Sequence, residues 1–470
     1  MVTLASPRAG LSTNAAALVL PAAATLLALM NYSALLAVLT DTLAGLHAGA
    51  SAQIWVMGSI SLGLAAALLA AGSLADDHGR RRLFVIGAAL LALSSAACAA
   101  APNAGVFIAG RVVQGAASAA LLTTGLGIIG HSFPTGHERA RATGLWGAML
   151  GLGIALGPII AAGLGELGGW RLWYWATLAA SALLAVAGAA WLEESRADRR
   201  RGLDLAGLVT MTAGVAALLS AITLGRTGWT RPAVVVLFAV SALLLAAFVL
   251  AQARGREPML DLALFRRPLF LLSAVGALVT GLAVIGIMSY LATVMDLALG
   301  LTPLTASLVL GIWSGTSFVA ALRAHRLPAR FSSRHLLATG LLLSALGDLA
   351  MLGLSPDAHW WRLVPGLFVA GVGSGLANAM LARLAVESVP ADRASMGSGA
   401  GSTARYIGAS FGVAIVVTIA TSGVHAHTAD TARALTHGTN LALLVSAALA
   451  LAGAALAAVI REREVRPALR

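Results

Sequence analysis

The stretch Gly72–Arg82 reads GSLADDHGRRR and stands between two long apolar runs. Its glycines let two helix ends approach each other, and Asp76 can meet an arginine or the N-terminus of a helix. The alternative interpretation is an arginine cluster that only sets membrane topology, with incidental acids. Asp77 and His78 are predicted to be solvated. The stretch therefore indicates a short, charged connection between two membrane-spanning helices.

The composition is that of an integral membrane protein. Of the 470 residues only 11% are charged and the mean hydropathy is +0.88, whereas a soluble protein has about 25% charged residues. The formal net charge is +12, and all 31 basic residues are arginines. Most of them lie in short segments between apolar runs, as the positive-inside rule describes. We therefore expect a lipid bilayer around the chain and no nucleic acid partner.

Several enzyme classes are disfavoured by what the chain contains. Without lysine it has neither a Walker A loop nor a Schiff-base amine, and Cys98 is its single cysteine. The string Gly408–Gly412 matches Gly-x-Ser-x-Gly but lies inside an apolar run, where helix packing is the better interpretation. His425, His427 and His437 have no carboxylate-rich surroundings that favour a metal. We predict no catalytic site, metal or cofactor.

The apolar runs define the architecture. A bilayer core of about 30 Å needs about 20 apolar residues per helix, and fourteen runs qualify. The first run is too long for a signal peptide. The predicted spans are Ala15–Leu39, Trp55–Leu74, Leu83–Ala101, Gly105–Gly130, Thr143–Leu164, Leu172–Trp191, Leu205–Leu224, Ala233–Ala251, Leu269–Leu299, Leu304–Leu322, His335–Leu354, Leu363–Ala385, Met396–Thr421 and Asn440–Ile460. They predict two six-helix bundles, residues 1–200 and 261–470, joined by a two-helix insertion, residues 201–260.

The arginines also predict the orientation. Most of them lie in loops that follow even-numbered spans, which places both termini in the cytoplasm. A weak internal repeat relates Leu74–Leu83 to Leu327–Leu336, since both follow the second span of a half. Arg81 matches Arg334, but Asp76 faces Ala329. Two parallel halves around a central site are the geometry of alternating access.

Gly72, Asp76, Gly79, Arg80 and Arg81 together resemble the signature loop between the second and third spans of the major facilitator superfamily. The resemblance implies an all-α transporter fold in which this loop latches the cytoplasmic gate. Only the first half carries the full motif, because the copy near Arg334 lacks the acid.

Span 4 carries an arginine inside the membrane. Arg111, Gln114, Gly115 and Ser118 are spaced to share one helical face. Such an arginine is costly in lipid and usually faces the bundle interior or a cavity, although one near a helix end can also reach the interface. The spacing Arg-x-x-Gln-Gly resembles the second superfamily signature, which implies a role for Arg111 and Gln114 in proton coupling.

Span 5 contains the motif that indicates the direction of transport. Gly144, Gly153, Gly157 and Pro158 resemble the antiporter signature of drug exporters in this superfamily. Small residues allow close helix contact, and a proline permits a bend. Ordinary small-residue packing is the alternative, and Ala161 stands where the family usually has glycine.

Further strings resemble the fourteen-span branch of drug:proton antiporters: Gln53–Val56, Gly169–Arg171, Leu299–Leu304 and Thr403–Gly408. The last of these places Arg405 inside a span, as a second candidate for proton coupling. The resemblance implies a monomer that exports amphipathic drugs, antibiotics or secondary metabolites in exchange for protons. An uptake carrier, a non-transporting receptor or scaffold, and an intramembrane protease are the alternatives.

One departure from that branch affects the mechanism. Span 1 usually carries an aspartate where this chain has Asn31, which cannot carry a proton. Asp296 and Asp348 are then the intramembrane acids that could do so, and a solvated helix end is the alternative for each. The substrate cavity is expected to draw on a mostly apolar set with a few polar groups: Asn31, Tyr32, Ser118, Trp146, Tyr290, Trp313, Asn378 and Tyr406.

Overall fold

The computed structural model describes residues 13–133, 136–197, 204–225, 228–255, 257–327, 332–422 and 431–460. The regular elements of this described part are all helical. The sixteen α-helices are α1 Thr13–Ser33, α2 Leu35–Gly45, α3 Ala50–His78, α4 Arg80–Ala99, α5 Ala104–Ser132, α6 Gly136–Gly168, α7 Arg171–Trp191, α8 Leu205–Gly225, α9 Pro232–Arg254, α10 Pro268–Val279, α11 Gly286–Leu297, α12 Pro303–Arg323, α13 Ser333–Ala350, α14 Val364–Glu387, α15 Ala394–Thr421 and α16 Thr431–Val459.

Thirteen helical segments of the described chain are long and apolar enough to cross a membrane. They confirm thirteen of the fourteen predicted spans. The remaining prediction, His335–Leu354, coincides with α13, an 18-residue helix that ends earlier, at Ala350. Arg334, His335 and Asp348 lower the hydropathy of this short helix, but it packs along α14 and α16 like its neighbours. The chain is therefore a multi-pass membrane protein.

Two spans are less regular than predicted. The first helix breaks after Ser33 and continues as α2. The Ser33 hydroxyl donates to the Leu29 carbonyl and also to the Gly153 carbonyl of α6, and such side-chain bonds to the backbone bend helices. The ninth span contains a π-helical turn, Thr280–Ile285, between α10 and α11. Turns of this kind are common at functional sites.

The π turn lies against α15, where two backbones come close together. A Cβ at Gly281 would collide with the Arg405 carbonyl, and one at Gly412 would collide with the Leu282 carbonyl. Gly408 meets the Leu278 carbonyl in the same way. The string Gly408–Gly412 is thus a helix-packing seam, as predicted.

The helices form two bundles and an insertion. In the first bundle α5 packs on α3 and α4, α7 on α4, and α1 on α6. In the second, α14 packs on α12 and α13, and α16 on α13 and α15. The insertion helix α8 packs on α3, and α9 lies outside α8 with only 17% of its most apolar window buried. Exposed apolar residues on α9, among them Val235, Val236 and Leu243, suit a lipid-facing surface.

The two bundles touch where α15 meets α3 and α5, and where α6 meets α12 and α14. Gly144 approaches the Ala321 carbonyl, and Gly147 approaches Ala379. These contacts lie toward the end of the molecule that carries Gly72–Arg82, which we call the arginine-rich end. The bundles are therefore closed against each other at this end.

Candidate functional site

Asp76 joins the two bundles at the arginine-rich end. Its carboxylate is fully buried and accepts from Arg80 Nε at 3.0 Å and from Arg80 Nη2 at 2.7 Å. It also accepts from the backbone N–H groups of Ser395 at 3.2 Å and Met396 at 2.8 Å. Both N–H groups belong to the first turn of α15, in the second bundle. A carboxylate of one bundle thus caps a helix of the other, where the helix dipole favours negative charge.

Arg80 extends the same connection. Its guanidinium is fully buried, and it donates to the Ser395 hydroxyl at 3.2 Å and to the Asp392 carbonyl at 3.0 Å. Glycines allow the approach, because a Cβ at Gly72 would lie 2.9 Å from the Ser395 carbonyl carbon. The expected pairing of Asp76 with an arginine and a helix N-terminus is therefore what the structure contains.

A second ion pair corrects the prediction for Asp77. This residue is 7% exposed, and it accepts from Arg393 Nη1 at 2.7 Å. The prediction that Asp77 is solvated is wrong because Arg393, 316 positions away in the chain, covers it. His78 is exposed, as predicted. We call this cluster the latch; it consists of Asp76, Asp77, Arg80, Arg393 and the first turn of α15.

Gly79 and the other two arginines serve the turn itself. Gly79 has a φ of +118°, a conformation that favours glycine. A Cβ there would lie 2.7 Å from the Glu194 carboxylate, which accepts from the backbone N–H groups of Arg81 and Arg82 at the start of α4. Arg81 donates its side chain to the Ala189 carbonyl. Of the three arginines, Arg80 alone pairs with Asp76.

Arg111 lies inside the first bundle and has only neutral acceptors. Its Nη1 donates to the Asn31 carbonyl at 3.0 Å, to Asn31 Oδ1 at 3.3 Å and to Gln114 Oε1 at 3.1 Å. Gln114 in turn donates to Ser95 at 2.8 Å, and Tyr174 presents its ring 6.0 Å from the guanidinium. Arg111 is fully buried, and no ion pair within the described residues includes it. The geometry favours the interior position over an arginine that reaches the interface.

The span 5 glycines lie in α6 and contact two helices. Gly153 and Gly157 lie against α1, where an added Cβ at Gly153 would come within 2.7 Å of Leu29. Gly144 faces α12 instead. Pro158 lies inside the helix and removes one backbone hydrogen-bond donor. The small-residue stripe thus brings α6 close both to its own bundle and to the other one.

A small cavity lies between the bundles and opens on one side; its volume is about 20 Å³, close to the space of one water molecule. It is lined by Leu126 and Trp146 of the first bundle and by Ser273, Ala277, Asn378, Leu381, Ala382, Ala385, Ser398, Gly401, Ser402 and Arg405 of the second. Of the predicted cavity residues, Trp146 and Asn378 line it. Arg405, predicted for proton coupling, lines it as well. Sequence reasoning missed the three serines, which are too common in membrane helices to stand out.

The other predicted cavity residues lie elsewhere. Asn31 accepts a hydrogen bond from Arg111, and Ser118 is a buried residue of α5. Tyr290 and Trp313 belong to the apolar core of the second bundle. Tyr32 and Tyr406 meet each other across the bundle boundary, with ring centroids 5.8 Å apart. These six residues do not line this cavity, and their part in a substrate site stays a prediction.

The two predicted intramembrane acids differ. Asp348 is 1% exposed in the last turn of α13, and its Oδ2 is buried without a hydrogen-bond partner among the described residues. Asp296 is exposed in the last turn of α11. For Asp296 the geometry favours the other interpretation, a residue at a helix end. Of the three histidines considered as metal ligands, His437 lies within α16, while His425 and His427 lie outside the described residues.

Comparison with known proteins identifies the family. The sequence pattern of the Major Facilitator Superfamily matches residues 22–413, with a second match over 273–469. The multidrug resistance protein Stp of Mycobacterium tuberculosis is 34% identical over 77% of this chain and 67% of its own length. The puromycin resistance protein pur8 of Streptomyces alboniger is 32% identical over 83% of this chain and 77% of its own length.

A solved structure shares the same fold. The human organic anion transporter MFSD10 superposes with a TM-score of 0.69, covering 95% of this chain and 100% of that chain at 15% identity. At this identity the likeness shows the fold alone. The family match extends over most of the sequence, and the resemblance of the loop Gly72–Arg82 is borne out by it. The chain belongs to the major facilitator superfamily of membrane transporters.

Proposed function

We propose that this chain exports amphipathic drugs, antibiotics or secondary metabolites across the cell membrane, by alternating access coupled to inward proton movement. The observation that carries the proposal is the latch, in which Asp76 of one bundle caps α15 of the other beside an inter-bundle cavity. A transporter whose two halves rock requires contacts that hold one end closed and can break. The hydrogen bonds and ion pairs of the latch are contacts of this kind.

The direction of transport rests on two supports. Curated relatives that cover most of the chain carry the names multidrug resistance and puromycin resistance proteins. The α6 stripe with Gly153, Gly157 and Pro158 resembles the exporter signature, and it packs the helix tightly against α1. A tight seam beside the cavity limits leakage while the bundles rock.

The orientation follows from charge. The arginine-rich end faces the cytoplasm under the positive-inside rule, and the N- and C-termini lie on the same side. The terminal residues lie outside the described ranges, so this assignment rests on the sequence. Residues 1–200 and 261–470 act as the two moving bundles of a monomer, and residues 201–260 form the lipid-facing insertion.

Proton coupling falls to groups away from span 1, because Asn31 has no proton to carry. Asp348 is the buried acid with an unsatisfied oxygen, and it accepts and releases the proton. Arg111, Gln114 and Arg405 are buried polar groups that respond to the charge that arrives or leaves. A buried charge without an ionic partner is sensitive to each such change.

Accumulation measurements test the proposal. Cells that express the chain are loaded with a panel of amphipathic compounds, and retention is compared with that of cells carrying Asp76→Asn. We expect cells with the wild-type chain to retain less compound than cells with Asp76→Asn. A protonophore should raise their retention to the level of the variant. Higher retention than in the empty strain would indicate uptake, and equal retention across the whole panel would contradict transport in favour of a receptor or scaffold.

A further inference from the structure

The cavity between the bundles contains an arginine without an ionic partner. Arg405 is 7% exposed and lies in α15, ten residues beyond Ser395 of the latch. This separation corresponds to about 15 Å along the helix. The residue thus lies inside the membrane-spanning part of the chain, above the closed end.

Two of the three Arg405 nitrogens have a weak hydrogen bond or none within the described residues. Its Nη1 donates to Asn378 Oδ1 at 3.4 Å, which is long for a hydrogen bond. Its Nε is buried and has no partner among the described residues. The ring of Tyr406 lies 5.4 Å from the guanidinium and offers a weak cation–π contact. The ion pairs found in the described chain do not include Arg405.

The neighbouring cavity groups are also donors. Trp146 Nε1 and the Ser398 hydroxyl are buried without partners in the described structure. An indole can only donate, and a hydroxyl can donate to an acceptor in any direction it can rotate to. Asn378 uses its oxygen on Arg405, so its amide nitrogen remains as a further donor. The cavity lining contains no carboxylate.

These groups are arranged for a negative charge. A cationic ligand would meet the like charge of Arg405, and an uncharged one would leave that charge without a counter-ion. Arg80 of the latch has an ion pair and two further acceptors, whereas Arg405 has one long amide contact and a buried Nε without a partner in the described structure. A planar anion can accept from a guanidinium and nearby N–H and O–H groups together.

We propose that Arg405, with Trp146, Asn378 and Ser398, binds the anionic group of the exported substrate, a carboxylate or a sulfonate on an otherwise apolar compound. Leu126, Ala277 and Leu381 line the same cavity, and we expect them to contact the rest of that compound when the cavity widens during transport. This inference rests on the proposed export function and names its substrate class.

The substrate charge also bears on energetics. Moving an anion out of a cell with a negative interior is driven by the membrane potential itself. Export of an anion therefore needs less free energy from inward proton movement than export of a cation does. The absence of an acid at Asn31 is consistent with this.

Binding to the purified full chain tests the inference. The probes are dansylglycine, dansylamide and dansylcadaverine, which are anionic, neutral and cationic forms of one fluorophore. We expect dansylglycine to bind about tenfold or more tightly than the other two, as a charge-assisted contact implies. Arg405→Gln should remove this preference, and Arg405→Lys should retain it. Arg171→Gln removes a positive charge outside the cavity and is the matched control.

A second variant covers the case in which Arg405→Gln does not fold. Asn378→Asp places a carboxylate on Arg405 at nearly unchanged shape, and it should abolish the preference while the protein elutes and melts like the wild type. Equal binding of dansylglycine and dansylamide by the wild type, tighter binding of dansylcadaverine, or no binding of any probe would overturn the inference. So would an unchanged preference in folded Arg405→Gln.

Transport separates the two proposals. If the wild type prefers dansylglycine but never lowers its accumulation in cells, the anion site stands and export fails. If cells export only cationic and neutral compounds, export stands and the anion site fails.

Discussion

The charged groups at the arginine-rich end differ from those inside the bundles in one respect. At the end, both buried acids of the described residues have a buried cation: Asp76 with Arg80, and Asp77 with Arg393. Inside, the buried charges of the described residues stand apart from one another. Arg111 has neutral acceptors only, Arg405 has one long amide contact, and Asp348 has an oxygen without a partner.

The difference separates two tasks. Paired charges hold one geometry and suit a latch, because breaking the pair leaves two costly charges. Unpaired buried charges are stabilised incompletely and change readily when a proton or an ion arrives. We therefore assign holding to the paired set and ion handling to the unpaired set.

The largest effect is expected from breaking the latch. Asp76→Asn leaves Arg80 buried without its counter-ion, which costs about 3–5 kcal/mol. If this cost falls on the closed state, the population of that state drops on the order of a hundredfold or more. We expect export in the accumulation assay to fall to background. The control is Asp41→Asn, which changes an exposed acid in α2. If Asp76→Asn exports as well as the wild type, the latch is not needed for transport.

Removing the unpaired acid should abolish the proton-linked part of export. Asp348→Asn has nearly the same shape but cannot release a proton. We expect proton flux on substrate addition to everted vesicles to fall to background, with expression unchanged, because the amide cannot carry the proton. Arg111→Ala should have the same effect. The exposed Asp296→Asn should leave the flux intact; unchanged flux in both Asp348→Asn and Arg111→Ala would show that neither takes part.

A tighter test of the latch adds one methyl group. In Gly72→Ala the new Cβ meets the Ser395 carbonyl, and overpacking costs about 1–3 kcal/mol. We expect about a tenfold loss of export. Gly315→Ala, where nothing lies within 4 Å of an added Cβ, has the same helix-propensity gain and should export normally. Equal export by the two variants would show that the close approach of α3 and α15 is not needed.

The smallest effect is expected from pairing an unpaired cation. Asn31→Asp places a carboxylate beside Arg111, whose Nη1 already lies 3.3 Å from the Asn31 side chain. We expect the thermal unfolding midpoint in detergent to rise by a few degrees, since a charged hydrogen bond contributes about 1.5–3 kcal/mol. Asn31→Leu should lower it. A midpoint that falls in Asn31→Asp would mean that Arg111 is already compensated.

The sequence predicts what is local. Apolar runs predict the spans because each helix satisfies its own backbone in lipid, and thirteen of them meet the length and composition of a membrane helix within the described chain. The break after Ser33 and the π turn at Thr280 were not predictable in this way. They depend on contacts with Gly153 and with the α15 backbone, which are distant in sequence.

The site divides along the same line. Asp76 and Arg80 are four residues apart, so their pairing follows from spacing. The partners in α15, Ser395 and Met396, are about 320 positions away, and no pattern in the sequence connects them to Asp76. The cavity lining depends on how the two bundles face each other. For this reason the sequence predicts only three of its polar residues, Trp146, Asn378 and Arg405.

A reversible cross-link between α5 and the first turn of α15 tests whether the arginine-rich end must open during transport. In a Cys98→Ala background, Gly130→Cys and Ala394→Cys place two thiols on α5 and α15, where an added Cβ at position 130 lies 3.1 Å from the Ala394 Cβ. This is somewhat shorter than the ~3.5–4.5 Å between the Cβ atoms of a disulfide, and the added Cβ also lies 2.8 Å from Val386 Cγ1, so the two helices must shift slightly to accept the bond. We predict that oxidation stops export and that reduction restores it. Export at the same rate by the fully cross-linked protein would contradict the account.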